Sequence, residues 1–301
     1  MTSDTAAYDP APLVALLRDR PRGVTVDGIR DEAVSRGSTL AAFDALTGGG
    51  ESLFSADPDS ASQPPLVRAS AETIREWGEQ GIVTLSVLDP AYPQRLRQVP
   101  QAPPVLFVRG RYDGPETAVS VVGSREAPPA ALAFAADVAA GLVAAGITVV
   151  SGLAYGIDTA AHTAALDAGG RTVAFVAHGV DLVYPAANRG LRDRLLDAGG
   201  AVFSQYLPGA SARKHTFLAR NALMSGYGMA SVIVEAGEHS GARSQATHAV
   251  RHGRPVVLTT AVMRNDWARQ IAGHEQVRVA STVDEVLGHV QDITATASRG
   301  A

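Results

Sequence analysis

From residue 118 onward the chain alternates short β-branched apolar runs with longer stretches in which apolar residues return every three or four positions. The runs predict strands at 118–122, 147–151, 172–177, 200–204, 230–235, 255–259 and 277–280. The stretches between them predict helices at about 129–145, 157–168, 188–198, 214–225, 240–252, 264–272 and 282–290. Strands this uniformly apolar are buried on both faces, and helical crossovers of this length join parallel neighbours. The pattern therefore predicts a mostly parallel sheet, doubly wound by right-handed crossovers.

Upstream, Ile82 to Leu88 and Val105 to Val108 predict two further strands. Between them Asp89-Pro-Ala-Tyr-Pro-Gln-Arg-Leu-Arg makes a proline-stiffened turn into a short helix. The first 81 residues read differently. Helical spacing covers Pro12–Asp19, Thr25–Ser35 and Thr39–Leu46, and another helix opens at Ser70 and ends near Gly81. Gly48-Gly-Gly50 and the Ser-, Asp- and Pro-rich stretch from Ser55 to Pro65 read as loops. The expected organisation is a helical accessory module over 1–81, an α/β domain over 82–293, and a tail over 294–301 that frays. No chemistry suggests itself in the module.

Composition narrows the classes of function. With 301 residues and 46% apolar content the chain can bury one large or two modest cores. No apolar run reaches a membrane span, and Met1-Thr-Ser-Asp-Thr lacks the basic start of a signal peptide, so a soluble cytoplasmic protein is expected. Cysteine is absent, which excludes disulfides, thiolate catalysis and cysteine-bound zinc. The histidines have no ligand spacing with carboxylates, so neither a metal nor a cofactor is expected. A net charge of −4 argues against a protein that coats nucleic acid without discrimination. The distribution says more: Gln205 to Thr260 holds six Arg or Lys against two acids, a local +4, while the remainder carries −8. A basic window in an acidic chain points to a defined polyanion site.

The candidate chemistry lies where predicted strands end. Val119-Ser-Val-Val-Gly-Ser-Arg125 and Ser151-Gly-Leu-Ala-Tyr-Gly-Ile-Asp158 each break from an apolar run into glycine and small polar residues before a helix. Ligands of such sheets bind at the carboxyl ends of the strands, where helix N-termini offer unpaired N–H groups suited to phosphate. Gly123, Ser124 and Arg125 supply backbone donors, a hydroxyl and a guanidinium fork. Ser151, Gly152 and Gly156 are expected beside them, completing the concavity. Lys214, His215, Arg220 and Asn221 form a basic helix start aimed at the same rim, and Asn188, after Tyr184-Pro185, either orients a turn or touches ligand. Asp158 either caps its helix or forms an internal ion pair with His162 four residues on. For His162 a structural role is favoured over catalysis. Glu235 sits at a strand end but lacks the partner that general acid–base work requires, and is read as orienting loops with Asp158 and His162, or as binding a ribose or base. Aromatics make up only 5%; Tyr155, Tyr184, Tyr206 and Phe217 fall in motif loops and can stack bases, though Phe217 suits a core equally well.

The order of motifs resembles the DNA-processing protein A (DprA/Smf) family. It runs Tyr-Pro-x-x-Leu at 92–96, Pro-Pro-x-Leu at 103–106, Val-Gly-Ser-Arg at 122–125, and Ser-Gly-Leu-Ala-x-Gly-Ile-Asp-x-x-Ala-His at 151–162. Gly179-x-Asp-x-x-Tyr-Pro-x-x-Asn188, Phe217-x-x-Arg-Asn221, and Val234-Glu-Ala236 with Ser240-Gly241 follow. The resemblance covers about 82–260 and implies an extended Rossmann-like domain. It implies binding of single-stranded DNA with Ser240 and Gly241 among the phosphate contacts, a homodimer, and delivery of RecA in recombination and natural transformation. Three departures stand out: Ala222 replaces the family's second arginine, Ser204-Gln-Tyr-Leu-Pro replaces its Ser-Glu-x-Pro, and Leu258-Thr-Thr-Ala replaces its Val-Pro-Gly turn. The alternative is a nucleotide sensor of the same superfamily using the same phosphate pocket. The superfamily's phosphoribohydrolase motif is absent, the chain having Glu238-His-Ser-Gly-Ala instead, so an enzyme is not expected.

Overall fold

The computed structural model describes residues 5–48, 63–238 and 240–299. Gly49, Gly50 and the loop read over Ser55–Pro65, up to residue 62, lie outside the described residues. Four helices come first: α1 Ala11–Arg18, α2 Val26–Arg36, α3 Thr39–Thr47 and α4 Pro65–Glu79. Thr25 and Ser38 cap α2 and α3, their hydroxyls accepting from Gly28 N (2.9 Å) and Ala41 N (3.3 Å). Gly37 and Gly48 close the same helices in the left-handed region. The fourth helix begins at Pro65, five residues before the predicted Ser70, because proline in the first turn loses no hydrogen bond. The apolar faces of these helices (Leu13, Leu16, Ile29, Val67) share one continuous core with the first strands. Trp77 of α4 meets Phe107 edge-on at 5.5 Å.

Nine strands form one sheet: β1 Ile82–Ser86, β2 Val105–Gly110, β3 Ala118–Gly123, β4 Thr148–Ser151, β5 Thr172–Phe175, β6 Ala201–Ser204, β7 Ala230–Glu235, β8 Val256–Thr259 and β9 Val277–Ala280. Their order is β1-β2-β6-β5-β4-β3-β7-β8-β9. The seven strands from β3 onward are parallel to their neighbours among them, and β2 pairs antiparallel with both β1 and β6. All seven strands predicted downstream of 118 form. The helices α5 Gln94–Arg97, α6 Pro129–Ala144, α7 Ile157–Asp167, α8 Arg189–Asp197, α9 Lys214–Tyr227, α10 Gly241–Arg251, α11 Asp266–Ile271 and α12 Val283–Arg299 connect or close them. The last one passes Thr294, where fraying was expected, and continues to Arg299; Val286, Val290 and Ile293 bury its apolar stripe.

Period-two alternation divides the strand residues between two layers. Val119 and Val121 of β3 pack against α6, α7 and α12, while Ala118 and Val122 join the cluster of α9 and α10. This is an α/β Rossmann-like architecture. From β3 the chain winds outward through β4, β5 and β6, then crosses back to β7 and winds the other way through β8 and β9. The reversal leaves a crevice beyond the carboxyl ends of β3 and β7, the place where such sheets hold ligands.

Candidate functional site

At that switch point the β3–β7 ladder slips between Val122 and Gly123, so that Gly123 pairs with Glu235. Ser124 N donates to Glu235 O (2.7 Å), and Ile157 N donates to Ser124 O (3.2 Å). A Cβ on Gly123 would lie 2.5 Å from Ile157 Cγ1, which is why only glycine lets α7 dock here. Gly156, at φ 72°, presses against the same turn: a Cβ there would sit 2.3 Å from Ser124 O. The two glycine loops therefore lie side by side.

They open onto a cavity of about 660 Å³. The β3 turn contributes Gly123, Ser124 and Arg125; α9 contributes Lys214 and Phe217; the start of α10 contributes Ser240 and Gly241. The N-termini of α9 and α10 both border it, so their positive dipole ends face one space. Ser124 Oγ accepts from Glu126 N (3.2 Å), leaving its proton free to donate. Ser240 caps α10 by accepting from Ala242 N (3.2 Å). Arg125 and Lys214 are exposed, and neither forms an ion pair among the described residues. The Arg125 guanidinium lies 4.6 Å from the Phe217 ring centroid. Phe217, read as core or site with equal weight, is half-buried on the cavity wall, where base stacking requires it.

Ser151, Arg220 and Asn221, expected at the ligand, take framework positions instead, and Asn188, read as orienting a turn or touching ligand, takes the first of those roles. Ser151 is buried, its hydroxyl donating to Val121 O (2.7 Å) and tying β4 to β3. Asn188 is buried and donates to Leu153 O (2.9 Å) and Thr159 Oγ1 (2.9 Å), so it orients the second glycine loop. Arg220 borders the cavity but is 4% exposed; its Nη1 donates to Gly152 O and Phe175 O, both at 2.6 Å, joining the ends of β4 and β5. Gly152 is required beneath it, because a Cβ would fall 1.7 Å from Nη1. Asn221 Oδ1 accepts from Arg220 Nε, and its Nδ2 donates to Gly241 O (2.9 Å), fixing the first turn of α10. The basic window is likewise only partly a surface: Arg254 lies beside Arg95 at the amino end of the sheet, away from this cavity.

Asp158 is buried, accepting from Ala154 N (3.3 Å). Burial raises its pKa and the Arg220 charge opposes that rise; burial likewise lowers the Arg220 pKa and Asp158 opposes it. Asp158 and His162 form no ion pair. Thr172 Oγ1 donates to Val149 O (2.8 Å), so His162 Nδ1–H donates to Thr172 Oγ1 (2.7 Å). Burial, with the Arg220 charge, pushes the His162 pKa down to about 3. A lowered histidine pKa means that the unfolded state binds the proton first, so this group destabilises the fold as pH drops from 6.5 toward 3. Stability should fall by about 1.4 kcal/mol per pH unit from this residue between pH 6 and 4, read as a flatter urea-midpoint profile for His162→Gln. An unchanged profile would contradict the assignment.

Glu235 is ion-paired with Arg264, from the turn after β8, and does not line the cavity. That turn carries the altered Leu258-Thr-Thr-Ala segment; Thr259 Oγ1 donates to Val234 O (2.6 Å). Ala222, where the family has a second arginine, is fully buried in α9. No helix among the described residues is long and apolar enough to cross a membrane.

Comparison with known proteins agrees with this fold. The family model of DNA recombination-mediator protein A matches residues 83–295. DNA processing protein DprA of Streptococcus pneumoniae is 38% identical over 178 residues, 59% of this chain and 62% of that protein. Protein Smf of a Synechocystis strain is 38% identical over 173 residues, 56% of this chain and 43% of that protein. The chain spans about half the length of the curated relatives it matches. The X-ray structure of DNA processing protein A from Streptococcus pneumoniae superposes with a TM-score of 0.70 at 27% identity, covering 93% of this chain and 97% of that one. DNA processing protein A from Helicobacter pylori, whose structure describes its single-stranded DNA binding mode, has the same fold at a TM-score of 0.60 and 22% identity, covering 70% and 96%. The chain belongs to the DNA recombination-mediator protein A family.

Proposed function

We propose that the chain binds single-stranded DNA at the carboxyl ends of β3 and β7, without catalysing a reaction. The observation that carries this reading is the convergence of two helix N-termini, the Gly123–Arg125 turn and two unpaired cations on one open cavity of about 660 Å³. Phosphates would take the backbone N–H groups of Arg125 and Gly241 with the Ser124 hydroxyl, while Arg125 and Lys214 supply charge and Phe217 a stacking face. Glu235 is neutralised by Arg264 outside the cavity, which supports a binding role over acid–base chemistry. The family resemblance adds the wider role: a cytoplasmic homodimer that passes the strand to RecA in recombination and transformation.

The test is anisotropy of labelled oligo-dT over a salt series, with thermal shift by dTMP alongside. Single-strand binding through three or more phosphates predicts that log K falls with log salt at a slope of about −2 or steeper. Absence of oligonucleotide binding, with stabilisation by dTMP, would replace this reading by the nucleotide sensor.

A further inference from the structure

A second cavity of about 630 Å³ opens beside the first, and Lys214 and Phe217 line both. Its far wall is the segment between β5 and α8, its near wall the start of α9. Three cations border it (Arg189, Arg213 and Lys214), and none forms an ion pair among the described residues. The one carboxylate on its lining, Asp181, accepts from Gly209 N at 2.9 and 3.0 Å. The three cations outnumber that carboxylate, so the described lining of this space carries net positive charge.

Phe217 stands on the wall that the two cavities share, and Tyr184 beside it lines the second. Tyr184 is 52% exposed, and its ring lies 5.8 Å from Phe217, whose own ring carries the Arg125 guanidinium. A large aromatic side chain left half in water on the wall of a cationic cavity is the arrangement that single strands use, with bases stacking on rings and phosphates following charge.

We propose that the second cavity is a further subsite for single-stranded DNA. The strand leaves the first cavity across Phe217 and Tyr184, and Arg189 and Arg213 hold its next phosphates while Tyr184 stacks a base. This inference rests on the DNA-binding reading of the first cavity, and the experiment separates the two.

Oligo-dT affinity would be measured against length, from about two to about twelve nucleotides, for the wild type and the Arg189→Gln/Arg213→Gln double variant. Arg213 caps α9 through its backbone N–H and C=O, which glutamine retains. The double variant should match the wild type on the shortest oligonucleotides, which also shows that it is folded. On the longest it should bind at least tenfold more weakly, with a salt slope lower by about 1.4, or 0.7 per lost phosphate contact. Tyr184→Leu should weaken long oligonucleotides alone and leave the slope unchanged. Identical length dependence and slope in the wild type and double variant, with binding still sensitive to Arg125→Ala, would overturn the second subsite only. Absence of binding at every length would overturn both readings.

Discussion

Replacing Arg220 by methionine is expected to lower unfolding free energy by about 2–6 kcal/mol, the loss expected when two buried carbonyls lose the donor they share. The size follows from what the guanidinium joins. Without it Gly152 O and Phe175 O lose their donor, and each buried orphan costs about 1–3 kcal/mol. Asp158, also buried, loses the nearby positive charge that favours its ionised form. Its pKa is already raised by burial and would rise further. A carboxyl whose folded pKa is raised binds its proton more tightly in the native state, so the penalty should be largest at alkaline pH and shrink as pH falls through that pKa. Urea unfolding at pH 8 and pH 5 checks the sign, and adding Asp158→Asn should recover part of the loss. A variant as stable as wild type at pH 8 would show that Arg220 is not a framework residue.

The second large effect concerns ligand. Arg125→Ala should reduce oligo-dT affinity by about 10- to 100-fold, since one charge-assisted contact is worth about 1.5–3 kcal/mol. The salt slope should drop by about 0.7 for the lost contact. Arg125→Lys should restore the charge but not the guanidinium contact with the Phe217 ring, giving an intermediate affinity with nearly the wild-type slope. Because Arg125 is exposed and makes no ion pair among the described residues, its removal should leave the unfolding midpoint in place. Full affinity in Arg125→Ala would remove the β3 turn from the binding site.

The same two arginines show how far the sequence could be read. Strand positions from β3 onward were legible because each strand is buried on both faces, so its apolar run is uninterrupted, and the switch point then follows from topology. The glycine loops were legible for the same reason: Gly123 and Gly156 stand where a side chain would collide with Ile157 or Ser124. What a linear pattern does not encode is the direction a polar side chain takes at a helix start. Arg220 and Lys214 lie on one helix and read alike, yet one points into the framework and the other into solvent. Motif position places Ser151 at the ligand and leaves Asn188 between ligand and turn, whereas burial directs both onto backbone carbonyls. The basic window failed similarly, since a strand separates the two ends of the sheet and Arg254 follows the wrong end. The motif position of Phe217 fits stacking and a core equally, and only the packing of α9 shows its ring on the cavity wall.

The central claim is that DNA phosphates lie at the carboxyl ends of β3 and β7. Hydrogen exchange of backbone amides, with and without oligo-dT at fixed salt, addresses it directly. The account predicts strand-dependent protection in 123–126 and 241–243, with the amino end of the sheet around Arg95 and Arg254 unchanged. Protection confined to the amino end, or absent from both segments while oligo-dT is bound, would contradict it.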